Sequence, residues 1–92
     1  MVYRIRVIGV QSKPTEQAKL FYVSDSMQDW LGSRADAAIY YSLENAKCAI
    51  NQSIESIKQE LNIDYNCELK EIQIVQEVIS ESVIQTLKPS EI

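Results

Sequence analysis

Between residues 43 and 61 the apolar side chains recur at the spacing of an α-helix. The apolar stripe consists of Leu43, Ala46, Ile50, Ile54, Ile57 and Leu61. These positions fall within an arc of roughly 80°, because each helical residue turns by about 100°. Ser42 precedes the stripe and can cap the first turn, and Asn62 and Asn66 suit a left-handed helix end. The pattern predicts one amphipathic helix with a single narrow face to bury.

In the segments around this helix apolar and polar residues alternate, as they do in β-strands. Residues 2–10 and 19–24 predict the two strands of a hairpin, joined by a polar connection at residues 11–18. Residues 39–41 predict a brief third strand, and residues 68–79 predict a long one.

Together these elements predict an α+β domain of two layers, with the order β-β-(β)-α-β. The helix packs on one face of a small, mainly antiparallel sheet, and residues 1–80 form the single domain. If the first and last long strands are neighbours, Arg4 and Arg6 face Glu71 and Glu77 across the open side of the sheet.

The C-terminal tail, residues 81–92, carries mixed signals. Ser80 can cap a short helix with Val83, Ile84 and Leu87 as its apolar face, and a proline two residues later stops it. We therefore expect a tail that frays or forms a short helix.

Residues 25–38 are the least regular part of the chain. Ser33 and Asp36 have the spacing of a capping box, which favours a short helical turn. Trp30 lies in the same segment, and the sequence leaves two roles open for it: a lid over the core or an exposed anchor for a partner protein.

The residue types that most enzymes need are missing from the sequence. The chain has no histidine, two glycines and two cysteines, which excludes Ser-His and Cys-His nucleophiles and glycine-rich phosphate loops and disfavours a zinc site. We expect a non-enzymatic protein without a cofactor or a metal. An alternative is a cation or acid–base site made of Asp25, Asp29 and Asp36, whose spacing matches no calcium loop.

The cysteines and the N-terminal segment indicate in which cellular compartment the protein is expected. Cys48 and Cys67 are interpreted as two free, buried thiols rather than as a disulfide, as expected in a reducing compartment. Arg4 and Arg6 interrupt the N-terminal apolar run, unlike an export signal, and no apolar run is long enough to span a bilayer. We expect a cytoplasmic protein.

The net charge of −4 is unevenly distributed along the chain. Residues 1–42 hold five basic and four acidic side chains, whereas residues 43–92 hold four basic and nine acidic ones. No concentrated basic patch is visible, so we expect neither direct nucleic-acid binding nor membrane binding. An acidic half suits a partner with a basic surface, although acidity also serves solubility.

A recurrent layout of strand, capped helix and closing strand is carried by the segments AAIYYSLENAKCAI and ELKEIQIVQEV. Over approximately residues 19–79 it resembles small orphan proteins encoded by bacteriophages and other mobile elements. The resemblance implies a protein that binds and blocks or redirects a host protein, such as a defence nuclease. It carries over no site residue.

We therefore expect a protein-binding module, of the inhibitor or modulator kind, that contacts a basic host protein through an acidic surface. The expected contact residues are Trp30, Glu68, Glu71, Glu77 and Glu81. The alternative is a self-assembling structural subunit that forms a homodimer through the open sheet face.

Overall fold

The computed structural model describes residues 1–11, 17–25, 29–78 and 80–92. Its elements follow the chain in the order β1 (Val2–Gln11), β2 (Ala18–Val23), β3 (Leu31–Gly32), a 3-10 turn (Arg34–Asp36), α1 (Leu43–Tyr65), β4 (Cys67–Glu77), β5 (Glu81–Leu87) and a second 3-10 turn (Pro89–Glu91). None of the described helices combines the length and the apolar content that crossing a membrane requires.

The five strands form one antiparallel sheet in the order β3-β2-β1-β4-β5. β1 is the central strand, because β2 returns beside it as a hairpin and β4 pairs along its other side. In the second pairing Ile5 lies opposite Ile74 and Val7 lies opposite Ile72. With α1 packed against this sheet, the predicted two-layer α+β fold is confirmed.

α1 begins where the sequence predicts and ends at Asn66, the second of the two asparagines predicted to end it. The N–H of Asn45 donates to the Ser42 Oγ at 3.1 Å, which satisfies one of the free amides of the first turn. At the other end Asn66 takes a left-handed conformation with φ of 53°, and the helix stops after Tyr65, about one turn beyond Leu61.

The buried face of α1 is centred slightly away from the apolar stripe. The stripe residues that are buried are Ala46, Ile50, Ile57 and Leu61. Leu43 and Ile54 are only partly buried, and Ser53 is buried beside them. The Ser53 Oγ donates to the carbonyl of Ala49 one turn earlier, so its hydroxyl is satisfied inside the core.

The core lies between α1 and the two longest strands. Its central strand residues, each with 0% exposure, are Ile5, Val7, Ile72 and Ile74. Gly9 leaves room for the end of α1 and the start of β4, since a Cβ there would lie 3.0 Å from both Leu61 Cδ2 and Cys67 Cβ. A side chain at this position would push the end of α1 away from β1.

The third strand lies earlier in the chain than the sequence predicts. Leu31 and Gly32 form it as an edge strand beside β2. In residues 39–41 only Tyr40 pairs, as an isolated bridge to Tyr3, so the prediction of a strand there is wrong. Burial decides the placement, because Leu31 is 2% exposed and adds its side chain to the core.

The C-terminal segment is a strand of the sheet. Residues 81–87 form β5 along the outer edge of β4, with Val83 opposite Val75. The prediction of a short helix with Val83, Ile84 and Leu87 as its apolar face is therefore wrong. The strand prevails because it satisfies the backbone groups along the edge of β4, which a helix in the same place would leave without partners.

Three smaller features complete the comparison with the sequence. The helical turn predicted from Ser33 and Asp36 forms, and the Ser33 Oγ donates to Asp36 Oδ2 at 3.2 Å. β4 ends at Glu77, whereas Ile79, within the predicted range of that strand, lies outside the described residues. Residues 12–16 of the predicted polar connection also lie outside them.

Both cysteines are free thiols, as predicted. Cys67 is buried at the start of β4, where its Sγ donates to the carbonyl of Tyr65 at 3.3 Å. Cys48 is exposed, so the prediction that it is buried is wrong. Its position in α1 lies off the buried face of the helix.

Candidate functional site

The sheet face opposite α1 carries a network of arginines and glutamates. Arg4 and Arg6 alternate along β1 with the buried residues Ile5 and Val7 and therefore lie on this open face. Arg4 forms an ion pair with Glu77 of β4. Arg34, from the first 3-10 turn, reaches the same carboxylate, with its Nη2 2.6 Å from Glu77 Oε1. Ion pairs within the chain thus lie across the open face.

Glu81 is the centre of this network. The Tyr22 hydroxyl donates to its Oε1 at 3.0 Å, the Arg34 Nε donates to the same oxygen at 2.8 Å, and the Arg6 Nη2 lies 3.5 Å away. The Glu81 side chain is only 12% exposed. Burial opposes its ionisation, but the hydrogen bonds from Arg34 and Tyr22 and the charge of Arg6 outweigh burial, so the pKa of Glu81 is lowered.

Glu71 belongs to a smaller group on β4. The Gln73 Nε2 donates to its Oε2 at 2.9 Å, and the Lys88 Nζ donates to its Oε1 at 3.1 Å. The bond from Gln73, followed by the bond from Lys88, lowers the pKa of Glu71. Glu68, at the start of the same strand, is exposed.

The pairing predicted between the first and last long strands is confirmed in part. The two strands, β1 and β4, are neighbours, and Arg4 meets Glu77 as expected. Arg6 reaches Glu81 instead of Glu71, because Glu71 lies farther along β4, opposite a different residue of β1.

Most of the predicted contact glutamates are therefore held by basic side chains of the same chain. The glutamates held in this way are Glu71, Glu77 and Glu81. Their basic partners are Arg4, Arg6, Arg34 and Lys88. This balance leaves the open sheet face with little free negative charge to offer a basic partner.

Trp30 lies on the other side of the molecule, against α1. Its backbone N–H donates to Glu60 Oε1 at 2.9 Å, and the N–H of Leu31 donates to Glu60 Oε2 at 2.9 Å. Leu31 closes the core, whereas Trp30 remains 46% exposed. The structure thus separates Trp30 from the predicted contact glutamates and fixes it at the surface by two hydrogen bonds to one carboxylate.

A groove of about 210 Å³ lies between Trp30 and the last turns of α1. The residues that line this Trp30–Ile63 groove are Trp30, Ser56, Gln59, Glu60, Ile63 and Asp64. Ile63 is 70% exposed and forms, with Trp30, the apolar part of the groove. An exposed aromatic side chain beside an aliphatic one is typical of the centre of a protein interface.

Three carboxylates give the groove its charge. Glu60 and Asp64 line it, and Asp29 directly precedes Trp30. Their effect is visible at Tyr65, whose pKa is raised first by burial and then by the charges of Glu60, Asp29 and Asp64. In the part of the chain that the structure describes, no basic side chain lines the groove or forms an ion pair with these carboxylates. The groove combines apolar surface with unbalanced negative charge.

The structure brings Asp25 and Asp36 together but not Asp29. The N–H of Asp25 donates to the carbonyl of Asp36 at 2.9 Å, and both residues line one cavity. Asp29 instead lies near Tyr65, where its charge adds to the effect of burial in raising the pKa of that tyrosine. Among the described residues, no group of three or more cysteine, aspartate or glutamate side chains is placed to hold a metal ion.

A larger cavity, of about 320 Å³, lies beyond the C-terminal end of α1. Its described lining combines Lys58 with Glu68 and the two amides of Asn62 and Asn66, so its charges are balanced. Among the described residues that line it there is no exposed aromatic side chain such as the smaller groove has. We therefore place the candidate site at the Trp30–Ile63 groove.

Sequence reasoning found Trp30 but missed the side chains that surround it. Ile63 lies off the apolar stripe of α1, and an isoleucine on the exposed side of a helix is the local signal that could have indicated it. The role of Glu60 depends on a contact across 30 residues of sequence, which no local pattern carries.

Comparison of the chain with protein-family models, with curated protein sequences and with solved structures found no match. The geometry of the groove is therefore the basis for a functional conclusion.

Proposed function

We propose that this domain is a non-enzymatic protein-binding module that holds a partner with a basic surface at the Trp30–Ile63 groove. One observation carries the proposal: Trp30 is half exposed, its backbone is fixed to α1 by Glu60, it lies next to an exposed Ile63, and the carboxylates around it have no basic counterpart among the described residues. An apolar centre with a charged rim is the usual composition of a protein interface.

Pre-organisation supports the role of Trp30 as an anchor. The two hydrogen bonds from the 30–31 backbone to Glu60 order this segment before any partner arrives. Binding therefore does not have to order the backbone that carries the tryptophan, and more of the contact energy appears as affinity. A lid that served only the core would be buried, whereas here Leu31 fills that place.

The charge of the groove supports a basic partner. A partner that used Glu71 or Glu77 would have to replace the basic residues that already hold them, at the cost of exposing or burying an unpaired charge. Asp29, Glu60 and Asp64 form no such ion pair in the described part of the chain, so their field is available to steer an incoming cationic surface.

The more specific form of the proposal is an inhibitor or modulator of a host protein. Proteins that act on nucleic acids, such as nucleases, carry basic grooves for their polyanionic substrate. An acidic, apolar-centred surface can occupy such a groove and compete with the substrate for it. The resemblance to small phage-type proteins points to the same class of partner.

The test is an affinity capture with three matched baits from a bacterial lysate. Wild-type protein, Trp30→Ala and the control Tyr41→Ala are compared, since Tyr41 is 76% exposed and precedes the opposite end of α1. We expect a basic protein that wild type and control retain and that Trp30→Ala loses by roughly tenfold or more, as for the loss of an interface hot spot. Its retention should also fall steeply with added salt.

Two outcomes contradict the proposal. One is that every protein retained by wild type is retained equally by Trp30→Ala, with both variants folded by circular dichroism. The other is that the proteins lost by Trp30→Ala are acidic or are held independently of salt, because the carboxylates of the groove would then play no part.

A further inference from the structure

The size of the Trp30–Ile63 groove suits a single side chain of a partner. Its volume of about 210 Å³ lies below the roughly 300–1,000 Å³ of pockets that hold drug-sized ligands. One wall is the exposed Trp30, and the other is a face of α1 on which residues three and four positions apart lie side by side. The residues of α1 that line the groove are Ser56, Gln59, Glu60, Ile63 and Asp64.

The two carboxylates on this face of α1 differ in what they already bind. Each oxygen of Glu60 accepts a backbone N–H at 2.9 Å, one from Trp30 and one from Leu31. Asp64, one turn later, is exposed and forms no ion pair or side-chain hydrogen bond with another described residue. Both oxygens of Asp64 are therefore available to a ligand, whereas Glu60 positions the backbone that carries Trp30.

The place of Asp64 in the helix is a second, independent observation. The C-terminal end of a helix carries partial negative charge on its free carbonyls, which favours basic side chains there. The last turn of α1 has no basic residue and holds Asp64 instead. A negative side chain at this end opposes helix stability, and local rules of this kind are broken mainly at functional sites. A cation from a partner complements both the carboxylate and the helix end.

An arginine side chain matches these groups better than a lysine does. The guanidinium is planar, so its face stacks on an indole ring while the N–H groups in its plane donate in a pair to one carboxylate. The lysine ammonium is a compact, strongly hydrated charge without this fork of donors. The aliphatic stem of an arginine also has apolar surface to lie against, because Ile63 is 70% exposed beside Trp30.

We propose that the Trp30–Ile63 groove takes one arginine side chain of the partner protein, whose guanidinium stacks on the Trp30 indole and donates to both oxygens of Asp64. This inference rests on the function proposed above and adds the residue type that the partner presents. Asp64 is then the residue that distinguishes arginine from lysine, while Asp29 and Glu60 add only long-range negative charge. Among basic surfaces, the groove selects one with a protruding arginine.

The test is a nuclear magnetic resonance titration with two peptides of equal length and charge, one arginine-rich and one lysine-rich, at one salt concentration. Three proteins are compared: wild type, Asp64→Asn and the control Glu55→Gln, which removes the charge of an exposed carboxylate of α1 outside the groove. From the indole signal of Trp30 we expect wild type and control to bind the arginine-rich peptide roughly tenfold or more tightly than the lysine-rich one. Asp64→Asn should lose most of this preference.

Three results overturn the inference. If the lysine-rich peptide shifts the Trp30 signal with the same affinity as the arginine-rich one, the groove binds cationic surfaces, as proposed above, but does not select arginine. If folded Asp64→Asn keeps the full preference, or Glu55→Gln loses it equally, Asp64 is not the ligand of the guanidinium. If neither peptide shifts the signals of Trp30 and Ile63, the proposed function fails together with this inference.

Discussion

Replacing Ile57 with aspartate is expected to unfold the domain at room temperature. Ile57 has 0% exposure and lies on the face of α1 that packs against the sheet. An aspartate there would place a carboxylate in the core without a partner, at a cost of roughly 4 kcal/mol or more. Small domains have total stabilities near the lower end of about 5–15 kcal/mol, so the penalty is of the same size as the stability itself.

The matched control is Gln52→Asp, which introduces the same side chain on the exposed side of the same helix. We expect it to cost well under about 1 kcal/mol, as surface substitutions usually do. Urea unfolding followed by circular dichroism compares the two variants with wild type. If they unfold at the same urea concentration, the face of α1 that carries Ile57 is not the core face.

Replacing Glu81 with alanine should give the second-largest loss of stability. The substitution leaves the Tyr22 hydroxyl and the Arg6 guanidinium without the carboxylate that they share, and Tyr22 is only 6% exposed. Breaking a largely buried pair by removing one partner is strongly destabilising, and we expect about 2–3 kcal/mol, since Arg34 remains half in solvent.

The control for Glu81→Ala is Glu55→Ala, an exposed glutamate of α1 with Lys58 three residues later, for which we expect less than about 0.5 kcal/mol. Urea denaturation at neutral pH measures both changes. Equal effects of the two substitutions would mean that the Glu81 network contributes no more than a surface charge.

The folding stability of Glu81→Ala and of Glu55→Ala should respond differently to acid. The pKa of Glu81 is lowered below the ordinary glutamate value of 4.5, so its ionised form stabilises the folded state above that value. This contribution is lost as pH falls through the lower pKa of the folded state. Wild type and Glu55→Ala should therefore lose more stability on acidification below 4.5 than Glu81→Ala does.

The helix and the central strands could be predicted because local signals and burial agree there. Ser42, the apolar stripe and the left-handed Asn66 fix the limits of α1, and the Arg4 and Arg6 alternation fixes the faces of β1. In these segments each residue's own preference matches its place in the fold.

The edge strands could not be predicted because their position depends on neighbours. β3 is two residues long, and only its contact with β2 and the burial of Leu31 define it. In the last segment Ser80, Val83, Ile84 and Leu87 fit a short helix as well as a strand, and the open edge of β4 decides between the two.

The candidate site was predicted only at its aromatic centre. A single tryptophan in a polar segment is a local signal, and Trp30 is exposed as an anchor requires. The carboxylates of the site could not be identified in the same way. The sequence shows that the second half of the chain is acidic, but it does not show which of these acidic side chains form ion pairs within the chain. Glu77 and Glu81 are held by arginines from the first half of the chain, which only the folded sheet brings near.

The central claim, that the Trp30–Ile63 groove binds a cationic protein surface, is tested most directly by a nuclear magnetic resonance titration. The chain has one tryptophan, so its indole N–H gives one signal for the groove. The probes are a short arginine-rich peptide and a glutamate-rich peptide of the same length. We expect the arginine-rich peptide alone to shift the signals of Trp30 and Ile63, in a saturable manner that added salt reverses, while the amides of Glu71 and Glu77 stay unchanged. Shifts centred on Glu71 and Glu77, or no shift at Trp30 and Ile63, would contradict the claim.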